Sequence, residues 1–153
     1  MKQLIALSFC LFAFAKAYSQ DLPQMETAVI DTTEKVQVAP VDTVKEFFAH
    51  FNTQNTQAMR KMMSPDLTIH SLIVSESNGK TLSTTKGSDL LVMLDNVTDG
   101  QKIEERIIEY ESVVSKDHAT VSTTYEFYSN GEFTHNGTNI FTLFLIDKAW
   151  YIV

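Results

Sequence analysis

The chain has 153 residues, of which 44% are hydrophobic and 20% are charged, and it carries a formal net charge of −7 at neutral pH. A chain this acidic repels phosphate backbones and anionic membrane surfaces, and no stripe of basic residues opposes that repulsion. We therefore expect neither nucleic acid nor a membrane as a partner of the mature protein. The length suits one domain with a real hydrophobic core, but not two.

The first twenty residues have the three parts of a secretory signal. Lys2 precedes an apolar run over 4–15, and small residues up to Ala17 suit a signal peptidase. We interpret residues 1–20 as a signal peptide, which predicts a secreted or periplasmic protein. A short buried helix is the alternative, but no charged residue interrupts the run as the polar face of an amphipathic helix would require.

The segment that follows the predicted signal is polar. Residues 21–40 show no sustained periodicity and contain two prolines, so we interpret them as a flexible linker to one domain over 41–153. The only cysteine, Cys10, lies inside the predicted signal. The mature chain is therefore expected to lack disulfides and cysteine-based metal sites.

The first predicted element of the domain is a helix that begins near Asp42. Its apolar residues recur with the spacing of one helix face: Val44, Phe47, Phe48 and Phe51. Thr43 and Glu46 are spaced like a capping box at its start. The four large side chains predict that this helix covers the sheet that follows.

Two further helices flank a predicted hairpin. Asn55 is a typical N-cap for the second helix, which carries Met63 among its methionines and ends at Pro65. Residues 67–85 combine β-branched residues with a central Asn-Gly pair and predict a β-hairpin. Gly87 then precedes the third helix.

The last third of the chain predicts an antiparallel meander. Strands are expected over 103–114, 137–146 and 150–153, with an alternating segment before the Asn-Gly turn at 130–131. One face of that alternating segment is largely apolar: Ala119, Val121, Thr123, Tyr125 and Phe127. The element order predicts an α+β fold, in which N-terminal helices pack on a curved, cone-shaped antiparallel sheet of four to six strands.

Several short motifs occur in a characteristic order. They are Phe-Phe-Ala-His-Phe at 47–51, Ser-Pro-Asp-Leu at 64–67, Lys-Gly at 86–87, Asp-His-Ala-Thr-Val at 117–121, and the hairpin Tyr-Glu-Phe-Tyr-Ser-Asn-Gly-Glu-Phe-Thr-His-Asn-Gly at 125–137. Together they resemble the nuclear transport factor 2-like superfamily, in its SnoaL-like and lumazine-binding branch of small secreted bacterial proteins. The resemblance implies the cone fold but no single activity, because the superfamily contains isomerases, dehydratases, cyclases, hydrolases and members without chemistry.

The predicted ligand site lies between the helices and the concave face of the sheet. The residues expected to contact a ligand there are Phe47, Phe51, Met63, His70, Tyr125, Phe141 and Trp150. The resemblance places His70 on the first strand, where polar residues of SnoaL-like relatives can point into the cone and act as a general base. His135 is a second candidate base, with Glu126 as its orienting partner across the strands. The alternative for both is a structural or solvated histidine.

Other chemistries have little support in the sequence. In relatives similar to ketosteroid isomerase, an Asp base stands where Ser71 is and a Tyr donor stands where Phe47 is, so that proton-transfer route is not expected. The four histidines form no metal-binding pair of helical spacing, and no glycine-rich phosphate loop is present. We therefore expect no metal and no cofactor. The glutamates of the 103–114 strand are interpreted as a solvated strand: Glu104, Glu105, Glu109 and Glu111.

Three hypotheses for function remain open. The first is an exported, non-catalytic binding module for a small apolar or aromatic organic molecule. The second is an isomerase-, lyase- or cyclase-type enzyme that uses His70 or His135 as its base. The third is a homodimerisation or protein-interaction module that pairs through the outer face of the sheet.

Overall fold

The computed structural model describes residues 38–75, 77, 79–98 and 100–153. The predicted signal peptide and nearly all of the predicted linker lie outside these described residues. The elements in chain order are α1 Pro40–Asn52, α2 Thr56–Met62, β1 Thr68–Ser75, β2 Gly79–Lys86, α3 Gly87–Asp95, β3 Ile103–Ser115, β4 His118–Ser129, β5 Glu132–Ile146 and β6 Ala149–Ile152. In the described ranges, none of these helices has the length and apolar character needed to cross a membrane.

The main sheet is antiparallel and has four strands in the order β3-β4-β5-β6, while β1 and β2 form a separate two-stranded sheet. The alternation predicted for β4 is present: Ala119, Val121 and Thr123 are buried, and Tyr125 and Phe127 are partly buried. These side chains define the concave face of the sheet, and the opposite face is called the outer face below. The predicted α+β architecture is confirmed.

Helix α1 packs on the concave face through its phenylalanines. The ring of Phe141 on β5 makes edge-to-face contacts with Phe47 at 5.7 Å and with Phe48 at 5.5 Å between centroids. Buried residues of α2, α3 and β6 extend this cluster, including Met59, Leu91 and Trp150. The apolar stripe predicted for the first helix therefore supplies much of the core.

Several predicted element boundaries differ from the structure. The capping box is wrong: α1 begins at Pro40, no side chain caps it, and Thr43 is buried within the helix. Proline suits the first helical position because its φ angle is preset and its missing N–H is not needed there. The Asn55 cap is confirmed, since its Oδ1 accepts a hydrogen bond from the Ala58 N–H at 3.2 Å. Strand β5 begins at Glu132, well before the predicted start at residue 137.

Candidate functional site

Strand β3 directs two neighbouring glutamates to opposite faces of the sheet. Glu104 lies on the outer face, 3.1 Å from Arg106 and 3.7 Å from Lys102, and the Arg106 hydrogen bond lowers the pKa of its carboxyl. Glu105 pairs in register with Phe127, so it lies on the concave face and is partly buried. The prediction that Glu105 belongs to a solvated strand is therefore wrong.

The Glu105 carboxyl group has a neutral hydrogen-bond partner. Its Oε1 accepts a hydrogen bond from Asn139 Nδ2 on β5 at 2.5 Å. Burial raises the pKa of this carboxyl to about 7, and the Asn139 hydrogen bond offsets only part of that rise. A carboxyl with this pKa exchanges its proton near neutral pH, which is a property of general acids, general bases and pH-sensitive binding sites.

Asn52, the last residue of α1, fixes the backbone at Glu105. Its Nδ2 donates to the Glu105 carbonyl oxygen at 3.0 Å, and its Oδ1 accepts from the Glu105 N–H at 2.7 Å. The Asn52 side-chain amide thus pairs with the N–H and the C=O of Glu105, which point away from β4. This pair of hydrogen bonds anchors the C-terminal end of α1 beside the carboxyl group.

An aromatic wall continues from Glu105 across β4 and β5. Gly137 lies opposite Tyr125, and a Cβ atom at 137 would stand 2.7 Å from the Tyr125 hydroxyl, so glycine makes room for the phenol over β5. Burial raises the pKa of Tyr125, and the negative charge of Glu105 adds to the rise. His135 stacks on Phe127, with 5.0 Å between the ring centroids and 21° between the planes.

Two buried polar atoms of the core have no hydrogen-bond partner among the described residues. They are the Thr123 hydroxyl oxygen and the Trp150 indole nitrogen. Thr123 is only 1% exposed and pairs in register with Asn139. The polar groups of the concave face therefore extend from Glu105 through Asn139 to a hydroxyl that has no partner in the described part of the chain.

The predicted ligand contacts occupy two different environments. Four of them are buried in the hydrophobic core: Phe47, Phe51, Met63 and Trp150. Tyr125 and Phe141 are partly buried on the concave face, and Tyr125 contacts the ring of His135 at 6.0 Å between centroids. Ligand contact by these residues stays a prediction, and Tyr125 is the one that lies beside Glu105.

The structure gives the two candidate histidines different surroundings, and a catalytic role for either stays a prediction. His70 is exposed, with Nδ1 3.2 Å from the Thr84 hydroxyl. Because Ile69 packs against the core, strand alternation turns His70 away from it. His135 pairs in register with Phe127 rather than with Glu126. The predicted pairing of His135 with Glu126 is therefore wrong.

The sequence contained a signal that Glu105 faces the core, but the other glutamates of the strand obscured it. Ile103 and Ile107 pack against the core, and a residue midway between them on a strand must share their face. The surrounding glutamates favoured a solvated interpretation, because carboxylates are almost never fully buried. Asn52 and Asn139 carried no comparable signal, since each acts through a partner distant in sequence.

Two surface grooves lie away from this polar cluster. A groove of about 310 Å³ is lined by residues of α1 and α2, including His50 and Lys61. A second, of about 220 Å³, is lined by residues around α2 and α3, including Arg60 and Ser88. Neither groove is lined by Glu105, Tyr125 or Asn139, and we place the candidate site at Glu105. The described part of the chain holds no cluster of three metal-ligating side chains.

No family model and no curated protein sequence matches this chain. Solved structures do match. An NTF2-like protein with a cystatin-like fold from Novosphingobium aromaticivorans is 14% identical, with a TM-score of 0.52 over 73% of each chain. The beta subunit of a proposed aromatic-ring-hydroxylating dioxygenase from the same species is 11% identical, with a TM-score of 0.58 over 76% of this chain and 83% of that one.

A third similar structure is a proposed dehydratase of the NTF2-like family from Streptomyces avermitilis. It is 12% identical, with a TM-score of 0.54 over 73% of this chain and 86% of that one. The chain therefore has the NTF2-like, cystatin-like fold, and the resemblance seen in the sequence is confirmed at the level of fold. Because the similar proteins have diverse roles, the fold alone does not assign an activity.

Proposed function

We propose that this chain is a small-molecule-binding protein whose ligand docks against Glu105 on the concave face. One observation carries the proposal: a partly buried carboxyl group stands among amide and aromatic side chains, with no salt-bridge partner in the described part of the chain. Burying a carboxyl opposes its ionisation and lowers stability. Groups that are held at such a cost are concentrated at binding and catalytic sites.

The surroundings of Glu105 support a ligand with an apolar or aromatic body. Tyr125, Phe127 and His135 offer ring surfaces on one side, and Asn139 holds the carboxyl in place. The buried rings of Phe47 and Trp150 belong to the packed core. We propose a non-catalytic binding protein, and its export is proposed from the signal-like N-terminal sequence.

A paired variant tests this site. A library of small organic compounds is screened by native mass spectrometry, and hits are measured by calorimetry on the wild type, Glu105→Gln and Glu104→Gln. Loss of one charge-assisted hydrogen bond at a binding site predicts an affinity about tenfold weaker in Glu105→Gln. Glu104→Gln, one residue away on the outer face, is the matched control and should bind normally. Equal affinities for all three proteins would refute the site.

A second function, proton transfer by an isomerase- or lyase-type enzyme, is favoured by the carboxyl pKa of about 7. In this version Glu105, rather than His70 or His135, is the general base, and the Tyr125 phenol is the neighbouring donor. Carbonyl compounds would exchange an α-hydrogen for deuterium in heavy water, at a rate that rises with pH through about 7. An exchange rate identical in wild type and Glu105→Gln would exclude this function.

The outer face of the sheet supports the proposal of a homodimer. Val113 and Ile140 are 75% and 72% exposed, and their register partners Thr120 and Ser122 place both on the outer face. Exposed apolar side chains on one sheet face favour burial against a second copy. Sedimentation of the wild type and of Ile140→Lys should show dimer and monomer, respectively. A monomeric wild type would rule out a constitutive dimer.

A further inference from the structure

We infer that the ligand group which docks at Glu105 is cationic, so that the ligand is a small organic amine with an apolar or aromatic body. This inference rests on the proposed binding function and names its ligand class. It is argued from the charges, dipoles and rings that surround the carboxyl group. These surroundings favour a cationic group over a neutral or an anionic one.

The first observation is that the nearby protein cations are already used on the other side of the sheet. Lys102 and Arg106 both bind Glu104 on the outer face. Strand alternation separates them from Glu105 by the thickness of the sheet. On the concave face, the hydrogen-bond donor to Glu105 is the neutral amide of Asn139. The carboxylate is therefore left with a charge that a bound cation can compensate.

The charged groups of the elements packed around Glu105 do not neutralise its carboxylate. On α1, His50 is 3.6 Å from Glu46, and Lys45 lies over the ring of Tyr110 at 5.7 Å from its centroid. On β4 and β5, Tyr125 and His135 are titratable side chains that share the concave face with Glu105. None of these side chains forms a salt bridge with Glu105 in the described residues.

The second observation is the position of the α1 C-terminus. Asn52 is the last residue of α1 and contacts the Glu105 backbone directly. The C-terminal end of a helix carries partial negative charge and favours cations nearby. The helix and the carboxylate thus contribute potential of the same sign. An anionic ligand would meet repulsion from both, and from the net charge of −7 on the whole chain.

The third observation is the aromatic wall. The rings of Tyr125 and of the stacked Phe127 and His135 pair border the site, and organic cations are attracted to the faces of such rings. The same sheet already shows this contact on its outer face, where the Arg106 guanidinium lies 3.9 Å from the centroid of the Tyr128 ring. A carboxylate beside aromatic rings suits an ammonium group attached to a flat apolar body.

Three probes of matched shape test the ligand class: benzylamine, benzyl alcohol and benzoate. Each is titrated into isotope-labelled protein, with the side-chain amide signals of Asn139 and Asn52 as local reporters. At about pH 8, where the carboxylate form predominates, we expect benzylamine to bind at least about tenfold more tightly than the other two. Glu105→Gln should abolish the preference, and Glu104→Gln should keep it.

The pH dependence of affinity in the wild type gives a second readout. If only the carboxylate form binds the amine, affinity should fall by about 30-fold between about pH 8 and pH 5.5. His135→Asn should show the same pH dependence, which separates the carboxyl from the imidazole. Two outcomes would overturn the inference: benzyl alcohol or benzoate binding as tightly as benzylamine, or no benzylamine-induced shift at Asn139 at millimolar concentration. The wider compound screen decides the proposed function separately.

Discussion

The two halves of the concave face have the same strands but opposite character. Beneath α1, the rings of Phe47, Phe48 and Phe141 interlock at centroid distances of 5.5 to 5.7 Å. At the C-terminal end of α1, the same face presents Glu105 and Asn139 instead. The first half stabilises the fold by burying rings, whereas the second buries a carboxyl and weakens it. The difference indicates where the fold gives up stability, and the proposed ligand site lies in that half.

The largest effect is expected when the apolar half is broken. Phe48→Ala should lower the free energy of unfolding by about 3–5 kcal/mol, because a fully packed ring is lost and a cavity remains. Urea denaturation measures the change. His70→Ala on the exposed hairpin is the control and should change stability by less than about 0.5 kcal/mol. A loss below about 1 kcal/mol for Phe48→Ala would contradict the core assignment.

The polar half should respond in the opposite direction. The Glu105 pKa is raised from 4.5 to about 7, so the folded state favours the protonated carboxyl. The free energy of unfolding is therefore not reduced by this carboxyl below about pH 4.5, and it falls as pH rises to about 7. Glu105→Gln removes this penalty and should stabilise the protein by about 2–3 kcal/mol at about pH 8, with little effect at about pH 4.5.

Denaturation curves at several pH values measure this difference between the two proteins. The control is Glu104→Gln. The Glu104 carboxyl lies on the outer face and has a lowered pKa, so this variant should not become more stable than the wild type as pH rises. If Glu105→Gln is destabilised equally at both pH values, the carboxyl is a structural hydrogen-bond acceptor rather than a strained group.

A smaller effect is expected at the aromatic wall. Gly137→Ala places a methyl group where the Tyr125 phenol lies, so the ring must swing away from β5. The cost should be about 1–2 kcal/mol, since the displaced atoms are the far end of a side chain. Amine affinity should fall as well. The ring signals of Tyr125 in NMR spectra report the displacement, and an unchanged Tyr125 environment would contradict it.

The smallest effect concerns the unpaired hydroxyl between the two halves. Thr123→Val keeps the shape of the side chain and removes a buried hydroxyl that has no partner in the described structure. We expect a gain of about 1 kcal/mol in thermal or urea denaturation. Thr124→Val, at an exposed position on the other face, is the control and should be nearly neutral. A destabilised Thr123→Val would show that a bound water satisfies the hydroxyl.

The contrast also explains which features the sequence could predict. The stripe from Val44 to Phe51 and the alternation in β4 predicted the apolar half correctly, because periodicity reports burial directly. Periodicity could not predict that Pro40 begins α1 without a side-chain cap, or that β5 runs through Gly137. The predicted strand began at Gly137, whereas the structure places this glycine inside β5, where the Tyr125 ring leaves no room for a Cβ atom.

The polar half was not predicted because it depends on partners far apart in the chain. Asn139 is separated from Glu105 by 34 positions and Asn52 by 53, and neither spacing leaves a local pattern. The expectation for His70 relied on the resemblance, which does not determine the direction of one strand residue. Hairpin alternation, fixed by Ile69 against the core, turned His70 outward.

The Asn52 amide also has a consequence for the behaviour of the protein in concentrated solution. Strand β3 is an edge of the main sheet, and an edge with free N–H and C=O groups invites another chain to add a strand. At Glu105 both of these groups are occupied by one side chain that copies the hydrogen bonds of a neighbouring strand. A chain approaching this edge would first have to displace the end of α1. The residue that orients the candidate site thereby also discourages aggregation at that edge.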